Sequence, residues 1–198
     1  MERVISGVIA IPIVLWIVLY GHPGLFFFLI SSIVLIAAHE YFSMIANAGI
    51  SGFPIEGLAL SFLLLAIEFF IPTFLPLLGA LTPVTLFITW FLREKNVRIA
   101  LDSISYTLFG ILYTAGLGGY FLLISHLEGG RQMIVFILLF VWAGDSAAFY
   151  VGRKLGKRKL LEMVSPNKTI AGAVANVVGT LIAALLASNL FFNEIPLI

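Results

Sequence analysis

Between Trp142 and Gly172 an acid inside an apolar run, a dense basic stretch and a polar turn opening a second apolar run follow one another. Asp145 is the acid. Arg153, Lys154, Lys157, Arg158 and Lys159 make up the basic stretch, and Ser165-Pro166-Asn167-Lys168-Thr169 is the turn. A carboxylate can hold a cation, clustered cations can hold an anion, and the free amides of a helix start can donate to phosphate oxygens. In this order they suit chemistry on phosphates.

Asp145 precedes Arg153 by eight residues, which on a helix puts it roughly 12 Å below the basic cluster and inside the hydrocarbon zone. Gly144, Ala148 and Gly152 form a small-xxx-small row, so a second helix is expected to approach closely and the acid to face protein. Such an acid is a candidate cation ligand or proton carrier; a structural hydrogen bond between helices is the alternative, and both stay open. Ser165 followed by Pro166 fits an N-cap and first helical position. On that register Lys168 stands where a capping box would want Glu or Gln, and a bound anion would offset its repulsion from the helix dipole. The plainer reading of Lys168 is one more topology-setting cation. Gly172 and Asn176 follow Lys168 at i+4 and i+8 on one helix face, and Asn176 needs a polar partner in the membrane. Ala175, Gly179, Ala183 and Ala187 read as a packing seam.

These residues need elements to hold them, and composition names the setting. Hydrophobic residues are 61% of the 198, charged ones 11%, and mean hydropathy is +1.13. Soluble domains are roughly 45–50% apolar, so an all-α polytopic integral membrane protein is expected. With no cysteine, disulfides and thiolate metal sites are excluded, and a net charge of +1 gives no pointer to nucleic acid. Seven apolar runs of spanning length cover 4–20, 24–46, 55–71, 74–92, 103–125, 132–152 and 169–192. Pro72, Pro76 and Pro83 leave the third and fourth as a tight hairpin or a broken helix, so six to eight spans are allowed. The first run reads as a retained span, since no small-x-small cleavage site follows it. The whole reads as one transmembrane domain, 1–198.

If the runs alternate, ten of the eleven basic residues share a face: Arg3, then Arg93, Lys95 and Arg98, then the six from Arg153 to Lys168. Arg131 alone falls opposite. That asymmetry puts the N-terminus and the 153–168 loop in the cytoplasm. No soluble domain, low-complexity segment or inverted repeat is visible. His39 and Glu40 lie near the cytoplasmic end of the second run, where snorkelling competes with a place at a site. Glu68 reads as interfacial, His22 and His126 as loop residues, and Trp16, Trp90 and Trp142 as interface or packing residues.

At Asp145, Ser146, Ala148, Phe149, Gly152, Arg153, Gly156 and Lys157, and again at Ser165, Pro166, Lys168, Thr169 and Gly172, the sequence resembles the phosphatidate cytidylyltransferase (CDP-diacylglycerol synthase) family. The matching family patterns are D-[ST]-x-A-[YF]-x-x-G-[RK]-x-x-G-[KR] and S-P-x-K-[ST]-x-E-G. Arg3 and Glu40-Tyr41 carry a weaker likeness. The resemblance implies a magnesium-dependent reaction of CTP with phosphatidic acid, giving CDP-diacylglycerol and pyrophosphate at a bacterial inner (cell) membrane. It implies catalytic roles for Asp145 and Lys168, with Asp145 also the metal ligand. Ser146, Arg153, Lys157, Arg158, Ser165, Asn167, Thr169, Gly172 and Asn176 would bind substrate. CTP, phosphatidic acid and the bilayer would be the partners, and the oligomeric state stays open, a homodimer included.

Two departures qualify the expectation. Ala171 stands where the family has glutamate, which removes one carboxylate. The family's aspartate-bearing block, S-x-x-K-R-x-x-x-K-D with P-G-H-G-G-x-x-D-R-x-D, does not occur in the sequence given, so a fragment or a degenerate paralogue, inactive without a missing segment, is expected. Two rival readings are an ion- or proton-coupled transporter subunit using Asp145 and a noncatalytic protein binding anionic lipid through the 153–168 loop.

Overall fold

The structure is a computed structural model that describes residues 2–93, 97–163 and 165–191. Lys95 and residue 192, both used above, lie outside the described residues, as do the side chains of Arg3 and Arg98. The chain is mostly helical and divides into two compact units, Met1–Gly130 and Arg131–Ile198.

In the first unit α1 runs Glu2–Tyr20, α2 Pro23–Asn47, α3 Pro54–Phe70, α4 Leu75–Arg93, α5 Val97–Ile111 and α6 Tyr120–Ile124. Each start has a local cause. His22 caps α2, its Nδ1 accepting the Gly24 amide at 3.1 Å, and Pro23 fills the first position; Pro54 does the same for α3. A 3-10 turn at Pro72–Phe74 follows α3, and α4 continues past Pro83, so the doubtful third and fourth runs are two helices joined by a turn. Arg93, at the end of α4, pairs with Glu56, at the start of α3, which makes the two antiparallel. The run 103–125 is not uniform: α5 passes through a π-turn at Leu112–Gly116 before α6.

The core of this unit joins Ala38, Phe42 and Ile45 of α2 to Phe53, Leu86, Trp90, Ala100 and Ile111. Thr107 secures its edge, accepting the Phe53 amide at 2.9 Å and donating to the Ser103 carbonyl at 2.7 Å. Glu68 is not interfacial as expected. It is 3% exposed, and a Cβ on Gly119 would collide with its carboxylate. The sequence hides this because the π-turn, which brings Gly119 against α3, has no periodicity signal of its own.

In the second unit α7 (Gly130–Leu155) and α8 (Ile170–Phe191) flank a short antiparallel hairpin, β1 (Lys159–Leu161) with β2 (Ser165–Thr169). The expected close approach of small residues is present. A Cβ on Gly179 would lie 2.6 Å from the Ala147 Cβ, and one on Gly144 would collide with Thr180 Oγ1. Thr180 Oγ1 also reaches the Phe140 carbonyl at 3.4 Å. The hairpin is an addition to an otherwise all-helical expectation.

Among the described residues five segments are long and apolar enough to cross a membrane: Pro23–Asn47, Pro72–Arg93, Ile99–Ile124, Gly130–Leu155 and Ile170–Ala187. The other two apolar runs are also helical, as the 19-residue α1 and the 17-residue α3. The polytopic helical membrane fold read from composition is therefore borne out.

Candidate functional site

All the site residues lie in the second unit, around a cavity of about 900 Å³ bounded by α7, the hairpin and α8. Asp145 reaches it from α7 together with Ala148, Phe149 and Gly152, the residues at i+3, i+4 and i+7 on the same helical face. Asn176 reaches it from α8, and its Nδ2 donates to Asp145 Oδ1 at 3.1 Å. The partner that Asn176 required is thus the buried-run acid itself. The acid is exposed to the cavity and commits one oxygen to this bond.

The cavity also holds cations. Arg153 from the end of α7, Lys168 from β2 and Lys159 from β1 all line the cavity, with Ser165 and Asn167 beside them. Three cations to one acid make it an anion-attracting chamber with a single carboxylate. Phe149, Leu160 and Ala173 give part of its wall an apolar surface.

Of the residues singled out from sequence, Asp145, Arg153, Ser165, Asn167, Lys168, Thr169, Gly172 and Asn176 come together. Ser146, Lys157 and Arg158 do not line the cavity. Ser146 follows Asp145 by one residue, about 100° around the helix, and so leaves the shared face. Lys157 and Arg158 lie in the exposed link between α7 and β1, and Arg158 contributes its carbonyl, which accepts the Ile170 amide at 3.0 Å. Lys159 was missed as a site residue. Its Nζ donates to the Pro166 carbonyl across the hairpin. A three-residue strand next to a proline-containing one carries too little alternation to announce itself.

The start of α8 also differs from expectation. Ser165 and Pro166 are in β2, not at an N-cap, and the helix begins four residues later at Ile170. Thr169 is the cap: it is 6% exposed, and its Oγ1 accepts the Gly172 amide at 3.1 Å. Its hydroxyl therefore holds the helix, where the sequence suggested a substrate contact. The third position after the cap is Gly172, not Lys168, which removes the capping-box conflict. With the Ile170 and Gly172 amides both engaged, the helix start offers fewer free donors to an anion than the sequence suggested.

Thr169 sits in a glycine cradle. A Cβ on Gly152 or Gly172 would stand 3.1 or 3.2 Å from its Oγ1, and one on Gly156 would be closer still. A Cβ on Gly172 would also lie 3.0 Å from the Ala148 carbonyl. Three glycines are thus what lets α7, the hairpin and α8 converge on one threonine.

No group of three or more His, Asp or Glu side chains able to hold a metal occurs among the described residues. Asp145 is the only carboxylate among the described residues that line the cavity.

A family model of cytidylyltransferases matches residues 1–198. The chain belongs to the cytidylyltransferase family. The chain is 32% identical over 120 residues to the phosphatidate cytidylyltransferase of Bacillus subtilis (strain 168), covering 60% of the chain and 44% of the relative. It is 37% identical over 92 residues to the enzyme of that name from Staphylococcus saprophyticus, covering 46% and 34%. With that of Synechocystis it shares 26% over 219 residues, covering 94% and 72%. The matched segments thus span less than half of the first two relatives' length. No solved structure matches this cytidylyltransferase chain.

Proposed function

We propose that this chain is a phosphatidate cytidylyltransferase that transfers CMP from CTP to phosphatidic acid, and that the cavity of its second unit holds the nucleotide's phosphates. The observation that carries the proposal is Asp145 together with Arg153, Lys159 and Lys168 in one cavity, in a chain whose curated relatives bear that name.

In this reaction a lipid phosphate oxygen attacks the α-phosphorus of CTP and pyrophosphate leaves. Lys168 and Lys159 hold the triphosphate from the hairpin while Arg153 meets it from α7, so positive charge already stands where negative charge develops. Thr169 ties the end of β2, which carries Asn167 and Lys168, to the start of α8. Asn176 holds one Asp145 oxygen and so orients the carboxylate. Magnesium fits this donor set, because that ion is commonly held by one or two carboxylates, substrate phosphates and water. Asp145 would hold it, and it would supply charge neutralisation at the phosphates. Cytosolic CTP requires the hairpin on the cytoplasmic side, where the distribution of basic residues also puts it.

The test uses the purified chain in detergent with phosphatidic acid, radiolabelled CTP and magnesium, reading both CTP retention and CDP-diacylglycerol formation. CTP retention by the wild type is expected, with magnesium-dependent product in a chain extended by the family's aspartate-bearing block, and losses of about 100-fold or more of that product in Asp145→Asn and Lys168→Ala. A wild type that neither retains CTP nor forms product overturns the proposal.

A further inference from the structure

His39 and Glu40 do not line the cavity of the second unit. Both are exposed and border a groove of about 660 Å³ on the α2–α3 hairpin, within the first unit. The rest of its wall is apolar: Leu35 and Ile36 from α2, Leu58, Ala59 and Phe62 from α3.

The polar end can be located along the hairpin. Phe27 meets Phe69 and Phe70 at one end, with ring centroids 5.0 and 5.3 Å apart, and Phe42 packs on Gly57 at the other. His39 and Glu40 are therefore nearer the turn that joins the helices. Glu40 stands seven residues, about 10 Å, from the end of α2 at Asn47. Within an apolar run a carboxylate calls for a cationic partner. Arg93 is at the same end of the unit but is paired with Glu56, and Glu40 has no ion pair among the described residues. Ser43 Oγ donates to the His39 carbonyl at 2.8 Å and lies 3.5 Å from His39 Nδ1, so Nδ1 is the donor there and Nε2 is left as an acceptor.

An apolar groove capped by one carboxylate and one imidazole matches a zwitterionic lipid. We propose that it binds an aminophospholipid of the surrounding bilayer, with an acyl chain along Leu35, Leu58 and Phe62 and the primary ammonium donating to Glu40 and to His39 Nε2. A lipid with only negative charge in its headgroup would leave Glu40 unpaired and repelled. A quaternary ammonium would bring charge but no N–H to donate.

The test is native mass spectrometry of the delipidated full chain with dioleoyl phosphatidylethanolamine, phosphatidylcholine or phosphatidylglycerol at equal concentration. The wild type is expected to retain the ethanolamine lipid about fivefold over the glycerol lipid, the scale of one accessible ion pair. Glu40→Gln should bring that ratio close to one at an unchanged melting temperature. Ala59→Phe, which fills the groove, should lower ethanolamine-lipid retention at an unchanged melting temperature. Equal retention of the three lipids, preference for the anionic one, a wild-type ratio in Glu40→Gln, or a second copy of the chain in place of lipid overturns the proposal. CTP is absent from the assay, so its outcome is independent of the cytidylyltransferase reading.

Discussion

Asn176 Nδ2 donates to Asp145 Oδ1 at 3.1 Å, joining α8 to α7 at the floor of the cavity. A hydrogen bond between helices and a place at a functional site were alternative readings of Asp145. The geometry makes them compatible, because the bond engages one carboxylate oxygen while the residue still opens on the cavity.

Replacing Asn176 by Ala should therefore cost stability as well as ligand binding. Losing a hydrogen bond to a charged group costs about 1.5–3 kcal/mol. Asn176→Asp should bind CTP less well than wild type, since it sets a second negative charge beside the first. Melting temperature in detergent and CTP retention read the two effects separately.

The hairpin separates Lys159 from Lys157. Lys159→Ala should lower CTP retention about fivefold or more, whereas Lys157→Ala should change it less than about twofold, as for a cation outside the cavity. A larger loss in Lys157→Ala would disprove the lining described above. Titrating sodium chloride against wild-type retention gives a companion measurement: affinity should fall as salt screens the accessible Arg153 and Lys168.

Gly156→Ala should loosen the second unit by about 1–3 kcal/mol, because the new methyl meets the Gly152 carbonyl and the Thr169 side chain at once. Gly79→Ala is the control: nothing lies within 4 Å of a Cβ there, and alanine in place of a helical glycine should be neutral or stabilising by about 0.5–1 kcal/mol. Thermal or denaturant unfolding of the two variants side by side checks the contrast.

Thr169→Val keeps the shape of the side chain and removes the cap acceptor, with an expected loss of about 1 kcal/mol and weaker CTP retention. Thr169→Ser keeps the oxygen and should recover most of both. If valine and serine retain CTP equally, the cap does not organise the site.

The sequence carried the helices well, because runs of spanning length leave the backbone little choice but to bond within itself. It also carried the Gly144, Ala148 and Gly152 row, since small residues at helical spacing have few other uses. What it did not carry is the path from Leu155 to Ile170. Ser165-Pro166 has the composition of a helix start, yet the ladder with Lys159–Leu161 uses that segment as a strand and passes the cap to Thr169. That choice depends on a pairing partner several residues away, which local propensity cannot see. The same pairing brings Lys159 to the cavity and leaves Lys157 and Arg158 outside its lining. Glu68 was misplaced for a related reason, because its burial depends on a π-turn some forty residues further along the chain.

The β1–β2 ladder, the Ile170 amide on the Arg158 carbonyl and the Lys159 ammonium on the Pro166 carbonyl set residues 158–161 and 165–170 in place within the protein itself. A basic loop left free would lose backbone freedom on meeting a polyphosphate, at about 1–2 kcal/mol for each residue ordered. Here folding has already met that cost. Association with nucleotide should then carry the thermodynamics of a rigid receptor, with little ordering entropy to oppose it and a rate set by encounter instead of by loop rearrangement.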